Sequence, residues 1–167
     1  MQLKTARTIL TKYETNDFEA FCEVICNDEV MLHIFGKGHT VEVARQKFDS
    51  LLKINTENSR YGMYKVNLLN TNKLIGFAKI TPFETDYMEL GYALLPEYWR
   101  QGFTIEMIQK MVAHCQEQIP EKKIMAIVNL DNVASVRVLE KLYFKKYKEQ
   151  VFKEVICHLL EFHSPLY

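Results

Sequence analysis

The sequence predicts an α/β fold: a mixed, mostly antiparallel twisted sheet with helices on both faces. Three observations carry this reading. Residues 16–56 repeat apolar side chains every three or four positions, the period of a helix. Residues 61–95 hold three β-rich runs joined by short polar links, which reads as an antiparallel meander. Two amphipathic runs, a short apolar run between them and a closing pair of β-rich runs make up the remainder.

Taken in order, Thr5 to Leu10 alternates weakly and reads as a first strand. Thr15, Asn16 or Asp17 can cap a helix through Phe18, Phe21, Cys22, Ile25 and Cys26. Asn27 or Asp28 starts a second short helical piece with Val30, Met31 and Ile34. GKGH at 36–39 is a break, and Thr40 caps a longer helix carrying Val43, Ala44, Phe48, Leu51 and Leu52. Strands follow over 61–69, 73–83 and 87–95, the last closed by Pro96. Apolar residues at 103, 107, 108, 111, 112, 115 and 119 form one stripe of a helix that Pro120 ends. IMAIV at 124–128 fits a central strand, because it is apolar on both faces. Asn132 opens a helix through Val133, Val136, Leu139 and Leu142, and FKKYKEQV with EVICHLLEF reads as a closing hairpin. No repeat or Gly/Ser linker interrupts the chain, so one domain over 1–167 is expected.

Composition narrows the function. The 167 residues are 48% hydrophobic, and 21 basic residues balance 21 acidic ones. A chain of this size buries roughly 70% of its unfolded surface, so it needs no staples. Charge neutrality argues against dedicated nucleic-acid binding, which usually carries a basic excess. The first twelve residues lack the apolar core of a secretion signal, and no apolar stretch approaches membrane-spanning length. A cytoplasmic protein that does not enter membranes is the expectation. Cys22, Cys26, Cys115 and Cys157 form no C-x-x-C pair and read as small apolar residues in a reducing compartment, with no metal site expected.

The chemistry concentrates in two stretches. In EYWRQGFTIEM (97–107) a strand enters, a tight turn follows, and a helix begins near Gly102. The first turn of a helix has unpaired N–H groups and the positive end of the dipole, so it holds anions. Gly102 lets a phosphate approach the backbone without a Cβ in the way. In NLDNVASVRVLEKLYF (129–144), Asn132 occupies an N-cap position with Ser135 three residues on, which capping alone explains.

Together the two stretches resemble the GNAT acetyltransferases, and within them the branch that acetylates protein N-termini, ribosomal proteins included. That branch reads E-I-G-Y-x-L-x-P-x-x-W-G-x-G-Y-A-T-E-A and later N-x-x-S-x-R-V-L-E-K-L-G-F. Glu89, Gly91, Tyr92, Leu94, Pro96, Trp99, Gly102 and Glu106 match the first motif. Asn132, Ser135, Arg137, Val138, Leu139, Glu140, Lys141, Leu142 and Phe144 match the second, with Asn129 a looser match. The opening ARTILTKYETNDFEAFCEVICNDEVM is also similar to the family's first strand and helix, so the resemblance covers nearly the whole chain.

The resemblance implies a GNAT-like sheet and acetyl transfer from acetyl-CoA to an amine, with no metal. It places the pantetheine arm between the strands at 87–95 and 124–128, pairing with the backbone around Leu94 and Leu95. It puts the pyrophosphate on the N–H groups of Arg100, Gln101, Gly102, Phe103 and Thr104, and sets Asn132 and Ser135 along the other side of the cofactor. Arg137 or Lys141 would meet the 3′-phosphate, although the basic segment from Arg137 to Lys153 also reads as a solvated face. Glu89 is the counterpart of a general base. The tyrosine that many members place one residue before E-K is absent, its position being Leu139. That leaves Ser135 and Tyr143 as substitutes for a general acid. His33 and His39 would border the acceptor cleft and read as surface residues. Three departures stand out: Arg100 for glycine, Thr104 for alanine or glycine, and Tyr143 for glycine. They leave open a second reading, a CoA-binding regulatory or adaptor module without catalysis. The acceptor and the oligomeric state, a homodimer included, are open at this level.

Overall fold

The protein is represented by a computed structural model that describes residues 2–152 and 155–164. Lys153 of the basic segment and Glu154 of the closing hairpin lie outside the described residues. Among the described residues, eight strands form one sheet in the order β1-β2-β3-β4-β5-β6-β8-β7. They are β1 (Gln2–Lys4), β2 (Thr8–Lys12), β3 (Gly62–Leu68), β4 (Leu74–Phe83), β5 (Tyr87–Leu94), β6 (Lys123–Asn129), β7 (Phe144–Phe152) and β8 (Val155–Phe162). Neighbours are antiparallel except β5 and β6, which run parallel. The five helices are α1 (Phe18–Ile25), α2 (Asp28–Phe35), α3 (Val41–Glu57), α4 (Phe103–Gln118) and α5 (Val133–Lys141).

The element order follows the sequence reading with one correction. Of the single strand expected over Thr5 to Leu10, only Thr8–Leu10 lies in a strand, β2, while Thr5 to Arg7 form the bend that joins it to β1 as a hairpin. Thr5 causes the break: its hydroxyl accepts from the N–H of Arg7 at 3.2 Å and of Thr8 at 2.9 Å. Such local side-chain bonds offer the backbone an alternative to the strand ladder. Three helix starts carry the caps the sequence offers, whereas Thr15, Asn16 and Asp17 form a 3₁₀ turn ahead of α1 and none of them caps it through a side chain. Asn27 accepts from the Val30 N–H, Thr40 from Val43 and Asn132 from Ser135.

Alternation along the strands feeds two cores, one on each face of the sheet. On one face Tyr64, Val66, Ala78, Ile80 and Leu90 pack against Met107, Ile108 and Met111 of α4 and Leu139 of α5. On the other, Tyr13, Met63, Phe77 and Ala93 meet α1, α2 and α3 through Phe21, Met31 and Phe48. There Phe48 meets Tyr13, Phe18 and Phe21 with ring centroids 6.1, 5.4 and 5.4 Å apart. Aromatic pairs at these separations add about 0.5–1.5 kcal/mol each beyond area burial. This cluster fixes α1 and α3 over the middle of the sheet. Because residues on β5 alternate between the cores, Glu89 and Gly91 face the α1–α3 side while Leu90 and Tyr92 face α4 and α5.

Two of the departures from the family motif have a backbone consequence. Arg100 and Tyr143 both hold left-handed conformations, with φ of 59° and 66°. Each replaces a glycine of the motif, and the chain keeps the glycine-like shape at the expense of strain, on the order of 1–2 kcal/mol for a residue bearing a Cβ. Tyr143 is half exposed, and its main chain alone ties the turn: its N–H donates to Glu140 O and its carbonyl accepts from His163 N. Tyr143→Gly is therefore expected to stabilise the fold by about 0.5–1 kcal/mol, the relief of strain outweighing the added freedom of the unfolded chain. Thermal unfolding should show a midpoint raised by roughly 1–4 °C, and an unchanged or lower midpoint would contradict the strain assignment.

Candidate active site

The site begins with a pairing that stops. β5 and β6 are in register only over Tyr87, Met88 and Glu89 against Lys123, Ile124 and Met125. Beyond that point β5 stays with β4 as far as Leu94, and β6 stays with β8 as far as Asn129. Two central strands of one sheet thus diverge, and a cleft opens between Leu90–Leu94 and Ala126–Asn129. The Leu95 N–H donates to Ile75 O on β4. By the alternation of an antiparallel ladder, Leu90, Tyr92 and Leu94 then turn their main-chain groups away from β4 and into the cleft. The expected pairing segment around Leu94 and Leu95 is shifted accordingly, because the Leu95 N–H is already committed to the sheet. The Leu94 carbonyl is also engaged, by Trp99 Nε1 at 2.7 Å. That bond folds the indole of Trp99 back over the end of β5.

At the open end of the cleft the chain makes a short 3₁₀ turn (Pro96–Tyr98) and enters α4. Arg100 and Gly102 both have positive φ, 59° and 83°. Gly102 is the N-cap, and no side chain caps this helix. The N–H groups of Ile105 and Glu106 bond back to Gly102 O, at 3.1 and 3.3 Å. Those of Phe103 and Thr104 belong to the orphan set of a helix start, which water or an anion satisfies. The Arg100 and Gln101 side chains are exposed, that of Thr104 is half-buried, and that of Phe103 is buried as the anchor of the turn.

The far wall is the start of α5. Asn132 spends its Oδ1 on the Ser135 N–H at 3.1 Å, so its capping function is real. The Ser135 side chain lies beside Tyr92, whose hydroxyl is buried. Burial pushes the Tyr92 hydroxyl up to about 12, with Ser135 pulling it slightly back, so it is protonated at neutral pH. Tyr92 matches the motif, and the sequence alone gives it no chemical role. Its place on β5, facing the start of α5, is a tertiary fact. Tyr143, by contrast, sits past the other end of α5. Eight residues at 1.5 Å each put it roughly 12 Å from Ser135 along the helix axis, and its ring is half exposed. The two residues that the sequence offers as substitutes for an acid, Ser135 and Tyr143, are therefore not brought together. Leu139, where many members carry the tyrosine, is fully buried in the core.

Glu89 marks the closed end. Its carboxylate is 14% exposed and pairs through Oε2 with Lys79 Nζ at 2.7 Å. Gly91 makes that pair reachable: a Cβ there would come within 2.5 Å of the Lys79 stem. Thr81 lies directly opposite Glu89 in the β4–β5 ladder. Lys79 and Thr81 also line an open cavity of about 460 Å³, with Glu57, Asn58, Tyr61 and Met63 among its other walls. Helix α2 rests against both β5 and β6 on this side. His33 is exposed on α2, whereas His39 is half-buried and packs on Phe35 with ring centroids 4.7 Å apart.

The remaining candidates fall outside this cluster or on its rim. Arg137 and Lys141 are exposed on α5, one helical turn apart. Lys146 is paired with Glu149 at 2.8 Å on β7. Burial, then the neighbouring Cys26, pushes the Cys22 thiol up to about 11, which keeps it protonated and unreactive. Among the described residues no group of three or more His, Cys, Asp or Glu side chains is close enough to hold a metal ion. Among them, too, no helix is long and apolar enough to cross a membrane. One residue that sequence reading missed is Arg7. It reaches from the β1–β2 bend to the start of α4, with Nε donating to Glu106 at 2.6 Å and Nη2 to Gln101 O at 2.8 Å. Its match to the family's opening strand was visible, but a contact across some hundred residues was not.

Comparison with known proteins agrees with the geometry. Residues 7–145 match the family model of an acetyltransferase (GNAT) domain. The uncharacterized N-acetyltransferase YoaA of Bacillus subtilis is 31% identical over 147 residues, which span 86% of this chain and 82% of that protein. A GNAT-family acetyltransferase from Bacillus anthracis superposes with a TM-score of 0.80 at 21% identity, over 96% of this chain and 97% of that one. RimL, a ribosomal L7/L12 alpha-N-protein acetyltransferase solved in complex with coenzyme A, superposes with the same score at 13% identity, over 96% and 97% of the two chains. Given a family model matched over most of its length, a relative above 30% identity and a sheet that parts between β5 and β6, this chain belongs to the GNAT acetyltransferases.

Proposed function

We propose that the protein transfers an acetyl group from acetyl-CoA to a primary amine, by direct attack within a ternary complex. The carrying observation is the divergence of β5 from β6 after Glu89, with an uncapped helix start at the open end of the cleft. An extended pantetheine arm matches the edge left by Tyr92 and the Leu94 N–H, as an added strand would. The N–H groups from Arg100 to Thr104 receive the diphosphate, and exposed Arg137 and Lys141 are the cations offered to the 3′-phosphate. The coenzyme A complex of RimL, which shares the fold, supports coenzyme A as the ligand. The acceptor enters from the α1–α3 face, where Glu89 and the cavity beside Lys79 lie. A protein or peptide N-terminus or a small-molecule amine fits this reading. The four free cysteines suit a reducing, cytoplasmic setting.

In the proposed reaction the neutral amine attacks the thioester carbon, the C–S bond breaks, and coenzyme A leaves as the thiol. An α-amino group titrates near about 7.7–8.0 and so needs little help to become neutral, whereas a lysine near about 10.4 needs much more. Glu89 accepts the proton directly or through water. Ser135, with the Tyr92 hydroxyl beside it, stands on the cofactor side as donor toward the departing sulfur. A thiol near about 8.5 is a fair leaving group, so this donor contributes less than the base.

Calorimetry with acetyl-CoA and mass spectrometry of candidate peptides and amines test the reading. No binding of acetyl-CoA at millimolar concentration would sink it, and tight binding without acceptor-dependent thiol release would favour a non-catalytic module. Glu89→Gln is expected to lower turnover by about 10²–10⁴-fold while CoA affinity stays within about twofold, since the carboxylate is not among the proposed phosphate or pantetheine contacts. Turnover that matches wild type across pH 6–9 would remove Glu89 from the chemistry. Arg100→Gly separates two effects of one residue. It relieves a left-handed strain of about 1–2 kcal/mol and removes a cation from the loop. The expected result is a higher melting temperature with CoA binding weakened by roughly three- to tenfold.

A further inference from the structure

We infer that Arg7 is the positioning residue of the diphosphate cradle: it orients the Gln101–Gly102 peptide and cancels the Glu106 carboxylate, without touching the ligand. The inference rests on the proposed binding of CoA at the start of α4.

Arg7 is held before it reaches the loop. It sits in the bend made by the Thr5 hydroxyl, and its carbonyl accepts from the Leu69 N–H at 2.9 Å. From there the guanidinium meets three parts of one six-residue segment. Nε donates to Glu106 Oε1 at 2.6 Å, Nη2 donates to Gln101 O at 2.8 Å, and the guanidinium carbon lies 4.2 Å from the centre of the Phe103 ring. A Cβ on Gly102 would stand 3.3 Å from Nη2, so the guanidinium lies directly behind the N-cap. A planar fork that also stacks on a ring can make all three contacts, and an ammonium cannot.

The orientation argument is geometric. In a trans peptide the C=O and the next N–H point in opposite directions. With the Gln101 carbonyl drawn toward Arg7, the Gly102 N–H must point away from it, to the outer side of the loop where the anion is received. Without Arg7 the peptide between Gln101 and Gly102 is free to turn its carbonyl outward, which repels a phosphate. The left-handed φ of Gly102 makes that flip easy for the chain.

The charge argument concerns Glu106. It lies in the first turn of α4, beside the helix start that would take two phosphates. Its Oε2 is buried and has no hydrogen-bond partner among the described residues, so Arg7, through Oε1, is the group that offsets this carboxylate. An unpaired carboxylate here would oppose anion binding, since like charges in a partly desolvated site repel.

Calorimetric titration of CoA into wild type, Arg7→Lys, Arg7→Met, Glu106→Gln and the double variant Arg7→Met/Glu106→Gln tests this. Arg7→Met should weaken binding by about tenfold or more, and Arg7→Lys by a smaller factor. Glu106→Gln should bind CoA as tightly as wild type or tighter. The double variant should bind several-fold more tightly than Arg7→Met, because the opposing charge is gone. A purely structural ion pair would restore thermal stability in step with binding, so melting temperatures are measured beside the affinities, and a rescue of CoA affinity no larger than the rescue of stability would overturn the inference. The inference is overturned if Arg7→Met and Arg7→Lys stay within twofold of wild type, or if the double variant is no tighter than Arg7→Met. Should Arg7→Met not fold, the neutral polar Arg7→Gln against Arg7→Gln/Glu106→Gln makes the same comparison. Failure of wild type itself to bind CoA would instead overturn the function proposed above.

Discussion

The functional architecture depends on a short parallel pairing between two strands that otherwise belong to different neighbours. β5 is committed to β4 along its whole length and β6 to β8 from Met125 onward, and the two share only three register positions. In a twisted sheet, adjacent strands rotate against one another, so two well-anchored pairs diverge once their common stretch ends. The divergence leaves main-chain donors and acceptors of the sheet's centre unpaired, a state that a native core rarely tolerates. Here those groups border an opening that a strand-like ligand can fill. The same divergence sets the chemistry by distance along β5. Glu89 is the last residue paired with β6, Tyr92 and Leu94 line the opening, and the turn proposed to bind the diphosphate follows Leu94 directly.

That opening has to be held apart, and the two cores do it. The aromatic cluster around Phe48 fixes α1 and α3 on one face, and Met107, Ile108 and Met111 fix α4 on the other. The turn between β5 and α4 is fastened at both ends, by the Trp99 indole on the Leu94 carbonyl and by Arg7 on the Gln101 carbonyl. Both tethers act on carbonyl groups, which leaves N–H groups as what the turn displays. An anion site built from backbone alone needs that selection, because the peptide carries a donor and an acceptor in equal number.

Arg100 and Tyr143 show how such a turn tolerates sequence change. The left-handed conformation is imposed by the geometry of the turn and the helix end, and not by the residue that occupies them. Losing glycine there introduces local strain and leaves the backbone path intact. The strain is stored where function is proposed at Arg100, and at a helix end remote from Ser135 at Tyr143.

The sequence by itself determined the element order, the helix caps at Thr40 and Asn132, a start for α2 at Asn27 or Asp28, and the two stretches whose pairing points to acyl transfer, because each is encoded by local periodicity or by a short motif. It could not reveal that Thr5 splits the first strand, since a threonine within an alternating run reads equally as strand. It placed Leu94 and Leu95 together at the cofactor edge, whereas the ladder turns Leu95 into the sheet and brings Tyr92 to the cleft, and only the register against β4 decides which is which. It listed Ser135 and Tyr143 as equivalent substitutes for an acid, yet the rise of α5 puts them at opposite ends of one helix. The Lys79–Glu89 pair and the reach of Arg7 to Gln101 and Glu106 were illegible for one reason: they join residues distant in the chain, and no periodicity or spacing encodes a contact that exists only once the sheet has folded.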